Sequence, residues 1–333
     1  MLAPPFWQKD GLLPRLLAPL GWIYAATTAR RLQRPGVRVP AVVICCGNAT
    51  AGGTGKTILA LALADLLISQ GHSPAFISRG YGGALKGPLR VDPRIHSARD
   101  VGDEPLLLAA RAPAYVGRNR AAAAALALGA THLILDDGLQ NPDLEKDVTF
   151  LVIDGGVGFG NGRVIPAGPL REPVVAAAMR CTAAIIIGED ATGAARALPP
   201  SLPILRGNLF PNGLNLSGRS VVGFAGIGRP EKFRASLVAA GAIVTDFISF
   251  PDHHPYSNSD IAGLRRQAET AAAVLVTTEK DLIRLAPADR PGILALGVAL
   301  VFDPAHALAF LLAEVMKASS FSATSALGNS ETR

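Results

Sequence analysis

The strongest chemical signal in the chain is the run Thr50-Ala51-Gly52-Gly53-Thr54-Gly55-Lys56-Thr57. Glycines let backbone amides turn inward around phosphate oxygens, and a helix that starts at the lysine offers its positive end to the same anion. The spacing is that of a Walker A loop, with Thr50 in the place of the first glycine. Residues 50–57 are therefore expected to cradle a nucleoside triphosphate, ATP or GTP. Lys56 would reach the β- and γ-phosphates, and the Thr57 hydroxyl would serve Mg2+. A second signal is Asp136-Asp137, which closes the apolar run Thr131–Leu135. Acids at the carboxyl end of a neighbouring strand are where a Walker B carboxylate meets the magnesium, so Thr57, Asp136 and Asp137 form the expected metal set. These groups do not name the phosphate acceptor: an ATPase, a GTPase, a ligase and a kinase all use them.

Such a loop works only between a strand and a helix, and the flanking sequence supplies both. Val39–Cys46 is uncharged and β-branched, and 56–70 reads as a helix closed by Gly71. Short apolar strands are expected at 75–78, 114–116, 131–135, 149–154 and 183–187, with helices near 105–112 and 119–128. That alternation predicts a parallel sheet covered on both faces. Residues 199–218 are rich in Pro, Asn and Gly, after which the alternation restarts at Ser220. The expected organisation is an N-terminal segment over 1–35 and a P-loop domain over 36–205. A linker over 206–218, a smaller α/β domain over 219–317 and a disordered Ser/Thr-rich tail over 318–333 complete it.

The composition fits a folded α/β enzyme, with 49% hydrophobic and 17% charged residues. The three cysteines have no metal or disulfide spacing and read as buried thiols. The net charge of +6 is concentrated in residues 1–38, where Lys9, Arg15, Arg30, Arg31, Arg34 and Arg38 face only Asp10. A basic surface for nucleic acid is thereby excluded over the rest of the chain. The same segment holds Leu12, Leu13, Leu16, Leu17, Leu20, Trp22, Ile23 and Tyr24 at helical spacing, with Pro19 expected to bend or break the helix. Its uncharged stretch is too short to span a bilayer, which takes roughly 20 residues. Such a helix docks on the protein's own core or lies in a membrane interface. The tryptophans and arginines favour the interface.

Further motifs occur in order: Ser78-Arg79-Gly80-Tyr81-Gly82-Gly83, Gly102-Asp103-Glu104-Pro105, Asn161-Gly162-Arg163, Ile165 to Glu172, Phe250-Pro251-Asp252-His253-His254 and Thr277-Thr278-Glu279-Lys280-Asp281. With Gly47-Asn48 and the phosphate loop, this series resembles the tetraacyldisaccharide 4'-kinase family from about Phe6 to Met316. The resemblance implies transfer of the ATP γ-phosphoryl group to the 4'-hydroxyl of an acylated glucosamine disaccharide 1-phosphate in lipid A biosynthesis. It further implies Mg2+ as cofactor, two α/β domains around a cleft, and a monomer working peripherally at the cytoplasmic face of the inner membrane. Carried onto this chain, Asp103 would be the catalytic carboxylate near the acceptor hydroxyl, and His253 would pair with it from the second domain, ahead of His254. From the residues alone, Asp103 and Glu104 could equally cap the helix that follows them, and both histidines could be surface groups. Arg79, Arg118, Arg120 and Arg171 are candidates for binding phosphate.

The chain departs from the family pattern at Ile58, where proline is usual, and at Leu139 and Asn141, where phenylalanine and histidine are usual. The competing reading is a membrane-associated P-loop ATPase switch of the partitioning or metallochaperone type, which needs no Asp-His pair. A metal phosphoesterase built on Asp252-His253-His254 would need more histidines than the six present.

Overall fold

The computed structural model of the protein describes residues 4–328; residues 1–3 and 329–333, which include the end of the expected tail, lie outside the described residues. Helix α1 (Leu12–Leu32) precedes strand β1 (Val42–Gly47), and the phosphate loop connects β1 to α2 (Lys56–Ser69). Next come β2 (Pro74–Ser78), β3 (Leu89–Arg90), α3 (Ala98–Val101), α4 (Asp103–Ala109), β4 (Ala114–Val116) and α5 (Arg120–Ala124). Strands β5 (His132–Asp136) and β6 (Val148–Asp154), helix α6 (Val174–Ala178) and strands β7 (Ala183–Ile187) and β8 (Ile204–Asn212) follow. The remainder is β9 (Ser220–Ala225), α7 (Pro230–Ala239), β10 (Ile243–Ser249), α8 (Asn258–Thr270), β11 (Val274–Thr278), α9 (Glu279–Arg284), β12 (Ile293–Asp303) and α10 (Ala307–Gly328).

Among the described residues the twelve strands join one sheet, in the order β10-β9-β11-β12-β8-β7-β6-β1-β5-β2-β4-β3. The central strands are buried on both faces, as their near-continuous apolar runs require. Ile44 and Cys46 of β1 face a core built with Leu59, Leu63 and Leu67 of α2 and Leu308 and Leu312 of α10. Val43 and Cys45, pointing the other way, pack with Ala123 and Ala124 of α5. Each of those fully buried leucines contributes about 1.5–3 kcal/mol. Strand β1 lies between β5 and β6 and is parallel to both; the chain leads from β1 to β2 on one side and from β6 to β7 on the other. The crevice at its carboxyl end is the place where such sheets bind ligands.

The sheet's two halves meet at β8 and β12. Residues 206–218, expected as a linker, include most of β8, which pairs in parallel with β7 over Ile204–Gly207 and antiparallel with β12 from Arg206 to Asn212. Pro211 is tolerated because pairing with β7 has already stopped. Strand β12 serves both halves: Ile293–Leu296 pair with β11, and Gly297–Asp303 pair with β8. Leu300, Phe302, Leu308 and Leu312 then pack in the core of the phosphate-loop half, hereafter the first lobe. Strands β9 to β11 with α7, α8 and α9 make the second lobe, with cores on both faces of its sheet.

Helix α1 is continuous through Pro19. The missing hydrogen bond is offset by packing of one narrow face, Pro14, Ala18, Gly21 and Thr28, onto the first lobe. A β-carbon on Gly21 would stand 2.8 Å from the Val164 carbonyl oxygen, so only glycine allows this approach. Trp7 Nε1 donates to Pro166 O at 3.1 Å and Arg163 Nε donates to Asp10 at 2.8 Å, fastening the segment further. The large side chains face outward: Leu12, Leu16, Trp22 and Ile23 are 64–77% exposed. No helix among the described residues is long and apolar enough to cross a membrane.

Candidate active site

The phosphate loop leaves β1 through Asn48 and is held open by its neighbours. Gly52 and Gly55 have φ of +121° and +91°, conformations that a side chain would strain. Asn48 Nδ2 donates to Thr50 Oγ1 at 3.3 Å and to Gly52 O at 3.4 Å. The segment after Arg163 runs alongside, with Ala51 N donating to Pro169 O at 2.7 Å and Arg171 N donating to Ala49 O at 2.6 Å. Gln140 Nε2 bridges Asn48 O at 2.8 Å and Glu172 Oε1 at 2.9 Å. Thus the motif around Ile165–Glu172 braces the loop, a role its sequence alone did not disclose.

The two acids after β5 differ in kind. Asp136 is buried and accepts from the Thr57 hydroxyl at 3.0 Å through Oδ2, while its Oδ1 has no hydrogen-bond partner. Burial pushes its carboxyl up to about 6. Asp137, with φ of +57°, accepts from Arg171 Nη1 at 2.9 and 3.0 Å and lies 3.6 Å from Lys56 Nζ. A buried carboxylate oxygen without a donor, beside a threonine hydroxyl, is the donor set a hard divalent cation takes. Thr57 and Asp136 therefore fit Mg2+ directly, whereas Asp137 is already held by two cations.

The family departures have plain structural counterparts. Leu139 is 2% exposed and packs in a core with Ala49, Leu151 and Leu170, directly against Gly47. Asn141 makes a local turn, exchanging hydrogen bonds with Asp143 at 3.0 Å. Among the candidate arginines, Arg171 joins Asp137, and Arg120 is buried with its Nη1 on Gly117 O at 3.0 Å, while Arg79 and Arg118 are exposed.

A second cluster forms where the lobes face each other. Asp103 opens α4 and is 4% exposed; its Oδ1 accepts from Glu104 N at 3.0 Å. Its Oδ2 meets His253 Nδ1 at 3.0 Å and accepts from Arg284 Nε at 2.7 Å. His253 sits in a loop with φ of +58°, its backbone N–H donating to Gly226 O at 3.1 Å. Lys280 Nζ donates to Glu104 at 2.5 Å and lies 3.7 Å from Asp103. His253, Arg284 and Lys280 hold the Asp103 carboxyl well below the usual carboxylate range against its burial, whereas burial raises Glu104 to about 7. His254 is occupied elsewhere, stacked on Phe250 and bonded to Asp260 at 3.1 Å in the cap of α8.

Asp103, Glu104 and His253 stand close enough to share a metal ion, but Lys280 and Arg284 already balance the two carboxylates. Lys280 also lowers Asp136, which brings the two clusters within electrostatic reach of one another. Sequence reasoning passed over several residues at the lobe boundary, Arg284 among them. It also singled out none of Asp154, Arg229 and Lys232: Asp154, at the carboxyl end of β6, accepts from Arg229 at 2.9 Å and from Lys232 at 2.5 Å. Only the strand-end position of Asp154 carried any signal.

The chain matches the profile of a family described as tetraacyldisaccharide-1-P 4'-kinase over residues 13–316. It is 52% identical to the tetraacyldisaccharide 4'-kinase of Rhodospirillum rubrum over 312 residues, 91% of this chain and 94% of that protein. It is 54% identical to the protein of the same name from Methylobacterium nodulans over 313 residues, 91% and 92% of the two chains. Its structure is similar to that of an "apo" form of LpxK from Aquifex aeolicus in complex with ATP. The TM-score is 0.75 at 27% identity, over 91% of this chain and 99% of that one.

Proposed function

Because the chain belongs to the tetraacyldisaccharide-1-P 4'-kinase family, we propose that its two clusters work as the halves of one phosphoryl-transfer site. The substrate is a tetraacyldisaccharide 1-phosphate, and the acceptor is its 4'-hydroxyl. The observation that carries this reading is the Asp103–His253 hydrogen bond, which joins the lobes in a chain whose Walker A loop departs from the pattern only at Thr50.

ATP is held by residues 50–57: the inward-turned amides and the N-terminus of α2 take its phosphates, with Lys56 as the point charge on the transferring group. Thr57 and Asp136, with Asp137 behind, would hold Mg2+, which when bound neutralises charge on the phosphate oxygens. Asp103 and His253 act as a pair. Both Asp103 oxygens are engaged and its carboxyl is a weak base, whereas the His253 side chain is 38% exposed. The acceptor proton therefore enters the pair at His253 Nε2 while Asp103 holds Nδ1–H and stabilises the charge that forms. Drawing one partner from each lobe ties transfer to closure and limits loss of ATP to water.

The lipid substrate is met at the membrane surface. The outward Leu12, Leu16, Trp22 and Ile23 of α1, with Arg30, Arg31 and Arg34 at its basic end, support a peripheral seat on the cytoplasmic face of the inner membrane.

The test is transfer of labelled γ-phosphate from Mg-ATP to tetraacyldisaccharide 1-phosphate in detergent micelles. Lys56→Ala and His253→Ala should each lower labelled lipid by at least about a hundredfold. ATP hydrolysis without labelled lipid would instead identify a nucleotide-driven switch.

A further inference from the structure

Arg284 closes the short helix α9, outside every motif used above. Its side chain is 5% exposed and lies between two carboxylates that are themselves buried, Asp103 of the first lobe and Asp281 of the second. Nε donates to Asp103 Oδ2 at 2.7 Å, and Nη2 reaches the same oxygen. Nη1 donates to Asp281 Oδ1 at 2.7 Å and to Gly226 O at 2.6 Å. Gly226 O is also the acceptor for the His253 backbone N–H, so Arg284 grips the very loop that presents His253. Asp281 is fixed in turn by Gly226 N at 3.1 Å, Tyr256 OH at 2.9 Å and Thr278 Oγ1 at 2.7 Å.

A buried arginine between two acids is a poor device for stability alone, since desolvating the charges offsets most of their attraction. Its value is geometric: the guanidinium is planar, permanently charged and donates in a fixed fork, which a lysine cannot reproduce. We propose that Arg284 is a positioning residue for phosphoryl transfer, locking the Asp103 carboxylate against His253 across the lobe boundary and holding the loop that presents the imidazole. The inference rests on the Asp103–His253 reading above and assigns that pair its third member.

The experiment measures kcat and KM for the full chain in mixed micelles, comparing wild type with Arg284→Gln, Arg284→Lys and His253→Ala. Arg284→Gln should lower kcat by at least about tenfold while KM for ATP stays within about twofold, because no phosphate-loop group touches Arg284. Arg284→Lys, which keeps the charge but not the fixed fork, should recover only part of kcat, and it guards against a Gln variant that fails to fold. If His253→Ala keeps its turnover, the pair itself is wrong. If His253→Ala is inactive while Arg284→Gln leaves kcat unchanged, or raises KM for ATP in step with the fall in kcat, positioning by Arg284 is overturned.

Discussion

Replacing Asp136 with asparagine should make the protein more stable and almost inactive at once. The carboxyl is 4% exposed, one oxygen has no donor, and burial raises it from 3.8 to about 6. Unfolded, the group ionises around 3.8; folded, it resists ionisation until about 6. Stability is therefore lost as pH rises across that window and stays lower above it. At about 1.4 kcal/mol per pH unit, carrying the charge costs the nucleotide-free protein about 3 kcal/mol near pH 7.5. Asparagine keeps an oxygen for the Thr57 hydroxyl and removes the charge. Tm of the nucleotide- and metal-free protein should then rise by about 4–6 °C at pH 7.5, with little difference at pH 4. Transfer of phosphate should fall by about a thousandfold, because on the proposed Mg2+ site the charge that destabilises the fold is the one the cation would need. Thermal unfolding at several pH values, paired with the labelled-phosphate assay, reads both. A Tm that falls at pH 7.5, or a gain equally large at pH 4, would refute the assignment of the cost to a buried charge.

Other expectations follow from particular contacts. His132 is 2% exposed with no partner for Nε2, and burial depresses it to about 4, so its neutral form stabilises the fold above 6.5 and that contribution is lost as pH falls toward 4; His132→Gln should abolish this part of the acid destabilisation in thermal scans. The Asp154 contact with Arg229 and Lys232 joins the lobes through a buried acid and two half-exposed cations. A double-mutant cycle of Asp154→Ala and Arg229→Ala in urea should give a coupling of about 1 kcal/mol, and additive effects would show the contact is not made in solution. Leu16→Glu with Trp22→Glu should reduce co-sedimentation with anionic vesicles by more than about tenfold while leaving ATP binding unchanged; undiminished binding would remove α1 from the membrane contact.

What could be read from the sequence was whatever depends on local chemistry. The phosphate loop is legible because the glycines, Lys56 and Thr57 must be contiguous, and the structure gives Gly52 and Gly55 the positive φ their type permits. The central strands are legible because two-faced burial demands unbroken apolar runs. Strand β8 was not: its alternation of exposed and buried residues is diluted by Gly207, Asn208, Pro211 and Asn212, and its partner β12 lies some ninety residues away. Asp103 and His253 were named through family resemblance, and no local pattern could join groups 150 positions apart. Arg284 was invisible for the same reason, since one arginine at the end of a short helix resembles any solvated charge until its burial between two acids is seen.

The shared strands decide how the cleft can open. A flexible tether would let the lobes swing freely, but here seven consecutive residue pairs, from Gly297–Asn212 to Asp303–Arg206, stitch β12 to β8. Separation of the lobes must therefore flex the sheet itself, most readily at Leu296 and Gly297, where β12 passes from β11 to β8. A joint of this kind works as a leaf spring: any opening would strain the ladder, and its recoil would return Asp103 and His253 to register. For the proposed pair, one partner on each lobe, the stiffness of the backbone would then do what a flexible tether leaves to diffusion.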